Sequence, residues 1–387
     1  YKRQGSNRVF ITWIDAALAG DRTIPLKGMD GGLLAAGTAD AQGRLYYLLI
    51  QQAARNRPES DALRAVMHLA KPDGKSVREI PLDVSQDAFN IYAYGGRWGG
   101  SMACGRGLVG LILPRTMHRS DDGLRHQAAI AATFAPDLSG VKRLGHTSSH
   151  SFGNVLTANA RGELIGIDLG DNYPRGVHLH KIRAAGRVSR VVFTYKTAHG
   201  RSARGGSPVY REISKGGRTF YKWSNDNATY TELGGVVEGR ASYTVIFATD
   251  RSPEGKVLDN SRTGIRDDPR DLAMLRVSTH FEKAPGGNEV SDSVMAGLPP
   301  DSTSETGGFY DFGGKWCDQR ITGVIWLTKH ASGEAAHAPQ PARRRDGSVL
   351  IVWEKTGGDG GPSLYAMAVH ETGKVVMEPV RLGLDLR

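Results

Sequence analysis

A short pattern recurs along this chain of 387 residues, and it limits the folds that the chain can adopt. Each copy has two glycines or other small residues, a small or apolar stretch, a tight turn and an apolar strand-like run. Repeats spaced tens of residues apart indicate a modular architecture in which each module packs on its neighbours. Copies of the pattern begin near residues 31, 95, 149, 234 and 313.

Most copies continue with a polar loop and a second pair of strand-like segments. Residues 63–69, for example, are followed by a turn at 72–74 and a second run at 76–82. An apolar run, a turn that ends in glycine and another run predict a β-hairpin. Each module is therefore predicted to have four strands, and the middle strands, such as 45–50 and 108–113, are the most apolar.

Four-stranded sheets repeated around an axis describe a β-propeller, and the chain resembles that architecture over most of its length. Sheets packed face to face in a ring can bury both faces, which a lone sheet cannot. We predict an all-β fold in which 1–387 form a single propeller domain with six blades, seven or five being the alternatives. The strand at 8–14 is predicted to join the C-terminal strands and close the ring. Residues 200–230, which contain an apparent extra hairpin, and 290–312 are predicted to be insertions or degenerate strands.

The Gly-Gly pairs resemble those of kelch repeats, but the regularly spaced Tyr and Trp that follow them in that family are absent. The Trp-Asp repeat, the Asp-box of sialidases and the tryptophan docking motif of quinoproteins are absent from the sequence as well. No functional residue is therefore taken from any propeller family.

The composition predicts a folded protein with a basic surface. Hydrophobic residues make up 39% and charged residues 23% of the chain, and the net charge is +10. A basic protein can bind nucleic acid, acidic polysaccharide or an anionic surface, but no nucleic-acid-binding motif accompanies the charge. No apolar stretch approaches the ~18 residues of a membrane span. The chain opens with Tyr1 rather than Met, so we expect a mature or trimmed form from which targeting information has been removed. Separately, we expect the protein to be secreted, periplasmic or at the cell surface.

Two histidines form the most unusual polar feature. His178 and His180 alternate along a predicted strand, so both point to one face. They can ligate a metal if His146, His150 or Asp171 converges on them, although a hydrogen-bonded pair without metal is the favoured interpretation. His150 stands where other copies have glycine, which predicts a place at the mouth of the central channel.

Oxygen-bearing side chains follow close to this pair. Asp168, Asp171 and Asn172 offer oxygen ligands at close spacing, and calcium binding is one interpretation of them. Asp and Asn also cap their own backbone in turns, and a turn is the favoured interpretation. Arg175 in the same segment is a further candidate ligand-binding residue. No cofactor is predicted.

Two tryptophans lie beside Gly-Gly pairs. Trp98 and Trp316 could stack on sugars or hold a protein loop at the rim, although packing between blades is favoured.

The chain has only two cysteines. Cys104 and Cys317 form a disulfide if their modules are neighbours, and two buried free thiols are the favoured alternative.

The sequence contains no established catalytic motif. Neither a Gly-x-Ser-x-Gly nucleophile turn nor a phosphate-binding loop is present. The acids Asp267, Asp268 and Asp271 stand among arginines, and a solvated, self-neutralising loop is the favoured interpretation.

These observations favour a non-catalytic, extracytoplasmic propeller that binds a protein or a glycan on one face, where rigid strands hold many loops. One alternative is a hydrolase or lyase that acts on polysaccharide at the channel mouth, since one fold hosts many functions. A second alternative is a structural subunit of a surface assembly. Whether the protein is an enzyme is left open, with the balance against it.

Overall fold

The computed structural model is all-β apart from one short 3-10 helix at Phe281–Lys283, within the residues that it describes. These are 32–52, 63–94, 99–147, 153–170, 176–194, 231–240, 242–250, 269–283, 324–357 and 361–383, with the strands 10–14, 21–25, 212–215, 218–221, 305–310 and 316–321. Their contacts divide the chain into two compact units, which are 1–165 with 182–187, and 166–181 with 188–387. No helix in the described part of the chain has the length and apolar character needed to cross a membrane.

The strands are numbered in chain order. They are β1 (Phe10–Ile14), β2 (Asp21–Pro25), β3 (Leu33–Ala39), β4 (Leu45–Gln52), β5 (Leu63–Ala70), β6 (Ser76–Leu82), β7 (Ser101–Gly105), β8 (Leu108–Thr116), β9 (Gln127–Phe134), β10 (Lys142–His146), β11 (Asn154–Ala158), β12 (Leu164–Gly170), β13 (Gly176–Arg183), β14 (Gly186–Thr194), β15 (Glu212–Lys215), β16 (Arg218–Tyr221), β17 (Glu232–Glu238), β18 (Ser242–Asp250), β19 (Arg270–Ser278), β20 (Glu305–Tyr310), β21 (Trp316–Ile321), β22 (Ile325–Trp326), β23 (Ala335–Arg343), β24 (Val349–Thr356), β25 (Ser363–Val369) and β26 (Val375–Arg381).

Four-stranded sheets of sequential strands account for most of the described chain, as a propeller-like fold requires. Strands β3–β6, β7–β10 and β11–β14 each form one such sheet. The remaining strands of this kind form one eight-stranded sheet with two four-stranded halves. The first half is β17–β19 with β22, which pairs with β19. The second half is β23–β26, and a single parallel pair, Arg270 with Ala335, links β19 to β23. The prediction of four-stranded antiparallel modules is confirmed.

The structure divides the fifth predicted module differently. Strands β20 and β21 pair as a hairpin, so the glycines at 313 and 314 fall between them, outside the described residues. The apolar run at 322–327 supplies β22, which is the outer strand of the preceding sheet. The last sheet therefore begins at β23. The predicted extra hairpin within 200–230 is present as β15 and β16.

The described pairings do not include the predicted closure of a ring. Strand β1 pairs with β2 in a two-stranded sheet, and β26 pairs with β25. The number of blades and the single propeller domain stay predictions.

Small residues at the first strand of each sheet let neighbouring sheets approach closely. The Gly100 N–H donates to the carbonyl of Ala35 on β3 at 2.6 Å, and a Cβ on Gly100 would lie 3.0 Å from that oxygen. A Cβ on Gly234 of β17 would lie 2.9 Å from the carbonyl oxygens of Ile246 and of Pro339 on β23. Real Cβ atoms essentially never come within 3.0 Å, so close packing explains why the repeats carry glycine.

The hydrophobic cores lie between the faces of successive sheets. In the first unit, one core packs β3–β6 against β7–β9, and another packs β7–β9 against β11, β12 and the end of β13. In the second unit, a core joins β17–β19 to β23–β25. The middle strands are the most buried, as predicted: residues 45–50 are at most 1% exposed. Burial of both faces of these strands is the main source of stability.

Candidate functional site

The predicted histidine pair exists, and its partner is a third strand residue. His178 and His180 lie on β13 and face Asp168 on β12, which confirms that the two rings share one face. His178 Nδ1 lies 3.5 Å from Asp168 Oδ1, and His180 Nε2 lies 3.0 Å from Asp168 Oδ2. The other ring nitrogen of His180, Nδ1, lies 2.7 Å from the hydroxyl of Ser189 on β14. We call Asp168, His178, His180 and Ser189 the buried cluster.

The buried cluster is almost closed to solvent. Asp168 is 0%, His180 1% and His178 8% exposed, and only Ser189 is half-buried. Carboxylate, imidazole and hydroxyl are joined across three adjacent strands, so the network fixes those strands to one another. Such closure leaves no room for a substrate at the imidazoles. Ion-pair contacts with Asp168 and the hydroxyl of Ser189 hold the two imidazoles, and the interpretation of a hydrogen-bonded pair without metal stays a prediction.

Metal binding at this place stays a prediction. Among the described residues, no three His, Cys, Asp or Glu side chains are arranged to hold a metal ion. Asp168 lies inside β12 rather than in a turn, which corrects the turn interpretation for that residue. Asp171, one of the three candidate third ligands, lies outside the described residues, as does Asn172.

The remaining predicted residues are not brought together by the described structure. Trp98, His150 and Arg175 lie outside the described residues, and Trp316 opens β21 without a described side chain. Their predicted roles are therefore untested.

One of the two cysteines is described, and it lies in a cleft of about 290 Å³ in the first unit. Cys104 has no disulfide partner among the described residues, and the side chain of Cys317 lies outside them, so the predicted disulfide is untested. Burial and the negative charge of Asp40 raise the pKa of Cys104 to about 11, which keeps it a protonated, weak nucleophile. Asp40 is itself paired with Arg44 at 2.7 Å.

A second histidine–carboxylate group, which the sequence analysis missed, opens to solvent in the second unit. Glu232 begins β17, Arg270 begins β19, His337 lies near the start of β23 and Thr356 ends β24. Because these strands alternate in direction, all four residues lie at the same end of the two sheets. We call them the open cluster.

The open cluster joins a hydroxyl, an imidazole and a carboxylate in sequence. His337 Nε2 lies 2.9 Å from the Thr356 hydroxyl, and His337 Nδ1 lies 3.0 Å from Glu232 Oε1. Arg270 Nη1 is bonded to the same carboxylate oxygen and lies 3.2 Å from His337 Nδ1. The side chains of His337 and Glu232 are 31% and 38% exposed. Hydroxyl to Nε2 and carboxylate to Nδ1 is the arrangement of hydrolases that use a hydroxyl nucleophile.

The carboxylate of the open cluster is held in its ionised form. Burial alone raises the pKa of Glu232, but the hydrogen bond from His337, the charge of Arg270 and the backbone N–H of Ala338 outweigh it. Together they lower the pKa to about 2. An ionised Glu232 stabilises a positive charge on the neighbouring imidazole.

The backbone beside His337 is irregular. The pairing of β23 with β24 shifts between His337 and Gln340, and Ala338 has a φ of 45°. A positive φ at a residue with a Cβ costs about 1–3 kcal/mol, and such strain gathers at functional sites. In this conformation the Ala338 N–H donates a hydrogen bond of 2.9 Å to Glu232 Oε2.

One carboxylate of the predicted acidic loop is also placed differently. Asp271 is 0% exposed within β19 rather than solvated in a loop. It accepts hydrogen bonds from the Thr328 hydroxyl at 2.9 Å and from the His330 N–H at 2.8 Å. Its role is to hold the segment after β22, and Asp267 and Asp268 lie outside the described residues.

Comparison with known proteins gives no family. No protein-family model matches the chain, and no curated protein matches it. Among solved structures, a protein of unknown function from Dyadobacter fermentans is 6% identical, with 90% of this chain and 79% of that chain covered and a TM-score of 0.43. An α-L-arabinofuranosidase from Lactobacillus brevis is 8% identical, with 90% and 95% covered and a TM-score of 0.37. An endo-arabinase from Bacteroides thetaiotaomicron is 10% identical, with 94% and 97% covered and a TM-score of 0.33.

Polysaccharide-active enzymes are thus among the similar structures. Their identities and TM-scores are too low to transfer chemistry, so function is argued from the side chains of this chain alone.

Proposed function

We propose that this protein is a hydrolase that acts on polysaccharide, with the open cluster as its reacting group. The observation that carries the proposal is the continuous path from the Thr356 hydroxyl through His337 to Glu232, with contacts of 2.9 and 3.0 Å. This is the polysaccharide-active alternative from the sequence analysis, and the site is one that the sequence did not reveal.

The bond that suits this group is an acyl ester on the polymer. The Thr356 oxygen attacks the ester carbon, and His337 Nε2 takes the hydroxyl proton and returns it to the leaving alcohol. Water then cleaves the acyl-threonine with His337 as base, while Glu232 stabilises the charged imidazole. An extended polymer is favoured over a small molecule because His337 and Glu232 stand on an open surface, 31% and 38% exposed.

Cleavage of a glycosidic bond is a second candidate, and one observation favours it. Glu354 lies directly opposite His337 in the pairing of β23 with β24 and is half-buried. Glycoside hydrolysis uses two carboxylates, and Glu354 with Glu232 would supply them.

The test measures acid release from acylated xylan and, separately, new reducing ends. We expect ester cleavage, with kcat/KM lowered about 10²- to 10⁴-fold in Thr356→Ala and His337→Gln and largely kept in Thr356→Ser. His370→Gln and Thr372→Ala are matched controls, because His370 Nδ1 lies 3.0 Å from the Thr372 hydroxyl in the same unit and no carboxylate of the described residues is bonded to that ring. New reducing ends that disappear in Glu354→Gln would favour glycoside cleavage. Absence of both products would overturn the proposal and favour non-catalytic recognition of a glycan or protein.

The protonation of His337 gives an independent check. Nδ1 either donates to Glu232 or accepts from Arg270, and only the first arrangement leaves Nε2 free to take the Thr356 proton. We expect the ¹⁵N shifts of His337 in the resting protein to show a protonated Nδ1. A proton on Nε2 alone would contradict the role of His337 as base.

A further inference from the structure

Within the described residues of the first unit, a buried arginine has no carboxylate partner. Arg115, next to the end of β8, is 5% exposed. Its Nε donates to the carbonyl of Asn90 at 3.0 Å, whereas its Nη1 is buried and has no hydrogen-bond partner in the described part of the chain. Buried guanidinium groups are normally paired, because an unpaired buried charge is costly.

Strand register places a histidine on the same face of the sheet. Leu113 of β8 pairs with Ile130 of β9, which in turn pairs with His146 of β10. Directly paired residues share a face, and Arg115 shares that of Leu113 because it lies two residues further along β8. His146 is exposed, so this face of the sheet is open to solvent next to His146.

A second arginine adds to the positive charge. Arg187 Nη2 donates to the backbone carbonyl of His146 at 3.0 Å. Loss of hydration together with the charges of Arg115 and Arg187 lowers the pKa of His146. The positive charges of both guanidinium groups therefore disfavour protonation of the same imidazole.

Within the described residues, no carboxylate is bonded to Arg115 to balance this charge. Burial is the one cause that moves its pKa, which falls to about 10. Arg183 in the same unit shows the ordinary case, since its Nη2 is bonded to Glu163 at 2.7 Å. An anion that reached Arg115 would take the place of the missing carboxylate and form charge-assisted hydrogen bonds with the guanidinium.

We infer that Arg115, His146 and Arg187 form a binding site for one oxoanion group, which is a carboxylate, a sulfate or a phosphate. The inference does not depend on the proposed hydrolase activity. Arg115 supplies the buried donor, and Arg187 and the exposed His146 stand on the solvent side. Oxoanions suit the site better than chloride because the planar guanidinium can bind two oxygens at once.

The test is calorimetric titration of the full chain with sodium sulfate, sodium phosphate and sodium glucuronate, each against sodium chloride at equal ionic strength. We expect at least one oxoanion to bind and to raise Tm more than chloride does. The three titrants distinguish a sulfate, a phosphate and a sugar carboxylate as the natural group. In Arg115→Gln we expect the Kd to rise about tenfold or more, since a charge-assisted hydrogen bond is lost. Smaller rises are expected in His146→Gln and Arg187→Gln.

Two further variants keep the result interpretable. Arg78→Gln is the matched control, because Arg78 is exposed and its Nη1 already lies 3.3 Å from Asp137; its Kd should equal that of the unaltered protein. If Arg115→Gln does not fold, Arg115→Lys replaces it in the test. Lysine keeps the positive charge but cannot bind two oxygens at once as the planar guanidinium does, so the Kd should still rise. The inference is overturned if no oxoanion binds better than chloride. It is equally overturned if Arg115→Lys, His146→Gln and Arg187→Gln all bind as the unaltered protein does.

Discussion

The buried cluster and the open cluster use the same residue types in opposite surroundings. Each joins a carboxylate, an imidazole and a hydroxyl, through His180 in one and His337 in the other. His180 is 1% exposed, whereas the side chain of His337 is 31% exposed. The two clusters contain the same chemical groups but differ in their access to solvent.

Access to solvent decides which role each group can have. In the buried cluster, Asp168 on β12 lies against two imidazoles of β13, and water cannot replace any of these contacts, so their loss should appear in stability. In the open cluster, water can replace a lost contact, so stability should change little while any reaction at Thr356 should change greatly. The H-x-H pattern that stands out in the sequence therefore marks the structural cluster.

Removal of Asp168 should have the largest effect on stability. Asp168→Ala leaves two buried imidazoles without their carboxylate, and we expect the free energy of unfolding to fall by about 3–5 kcal/mol. Guanidinium unfolding at pH 7 measures it. Glu232→Ala is the counterpart in the open cluster and should cost about 1 kcal/mol or less.

If Asp168→Ala does not fold, Asp168→Asn retains the volume of the side chain and should still be clearly less stable than Glu232→Gln. Equal losses in the two carboxylate variants would remove the distinction between the clusters.

The two hydroxyls offer a finer comparison. Ser189 lies 2.7 Å from His180 Nδ1, and Thr356 lies 2.9 Å from His337 Nε2. Ser189→Ala leaves a buried nitrogen without its partner, and we expect a loss of about 1–3 kcal/mol. Thr356→Ala should change stability by no more than about 0.5 kcal/mol, because water can take the place of the hydroxyl. Thermal unfolding of both variants in one buffer tests this, and the reverse order would show that exposure is not the deciding factor.

Much of the fold could be predicted because it depends on local signals. Turns that end in glycine, as at Gly74 and Gly107 with φ of 83° and 72°, separate the strands of each hairpin. Apolar runs such as 45–50 predicted the buried middle strands. The fifth module was divided differently because the Gly-Gly pair at 313 and 314 resembles the start of a sheet, whereas the sheet continues through β22.

The candidate site could not be predicted in the same way. Glu232 and His337 are 105 residues apart and meet only because β17 and β23 are neighbouring first strands. His337 is one histidine in a strand of small residues and prolines, and Thr356 ends an ordinary apolar strand. Sequence spacing carries no information on such contacts. In contrast, His178 and His180 stand two residues apart, so their shared face followed from the strand period alone.

The smallest expected effect is the pH dependence that Glu232 gives to stability. Its pKa is about 2 in the folded protein and near 4.5 for an ordinary glutamate. A carboxyl whose pKa is lowered by folding stabilises the fold above its ordinary pKa, and that contribution is lost as pH falls towards the lowered value. The stability difference between the unaltered protein and Glu232→Gln should thus be constant above about pH 5 and shrink from there towards pH 2. Because Glu232 is exposed enough for water and salt to screen it, the change should stay below about 1 kcal/mol.

Urea unfolding at fixed ionic strength from pH 7 to pH 3 measures this change in the stability difference. A difference that grew as the pH fell would mean that His337 and Arg270 do not stabilise the ionised carboxylate, and the case for the open cluster as a reacting group would fail with it.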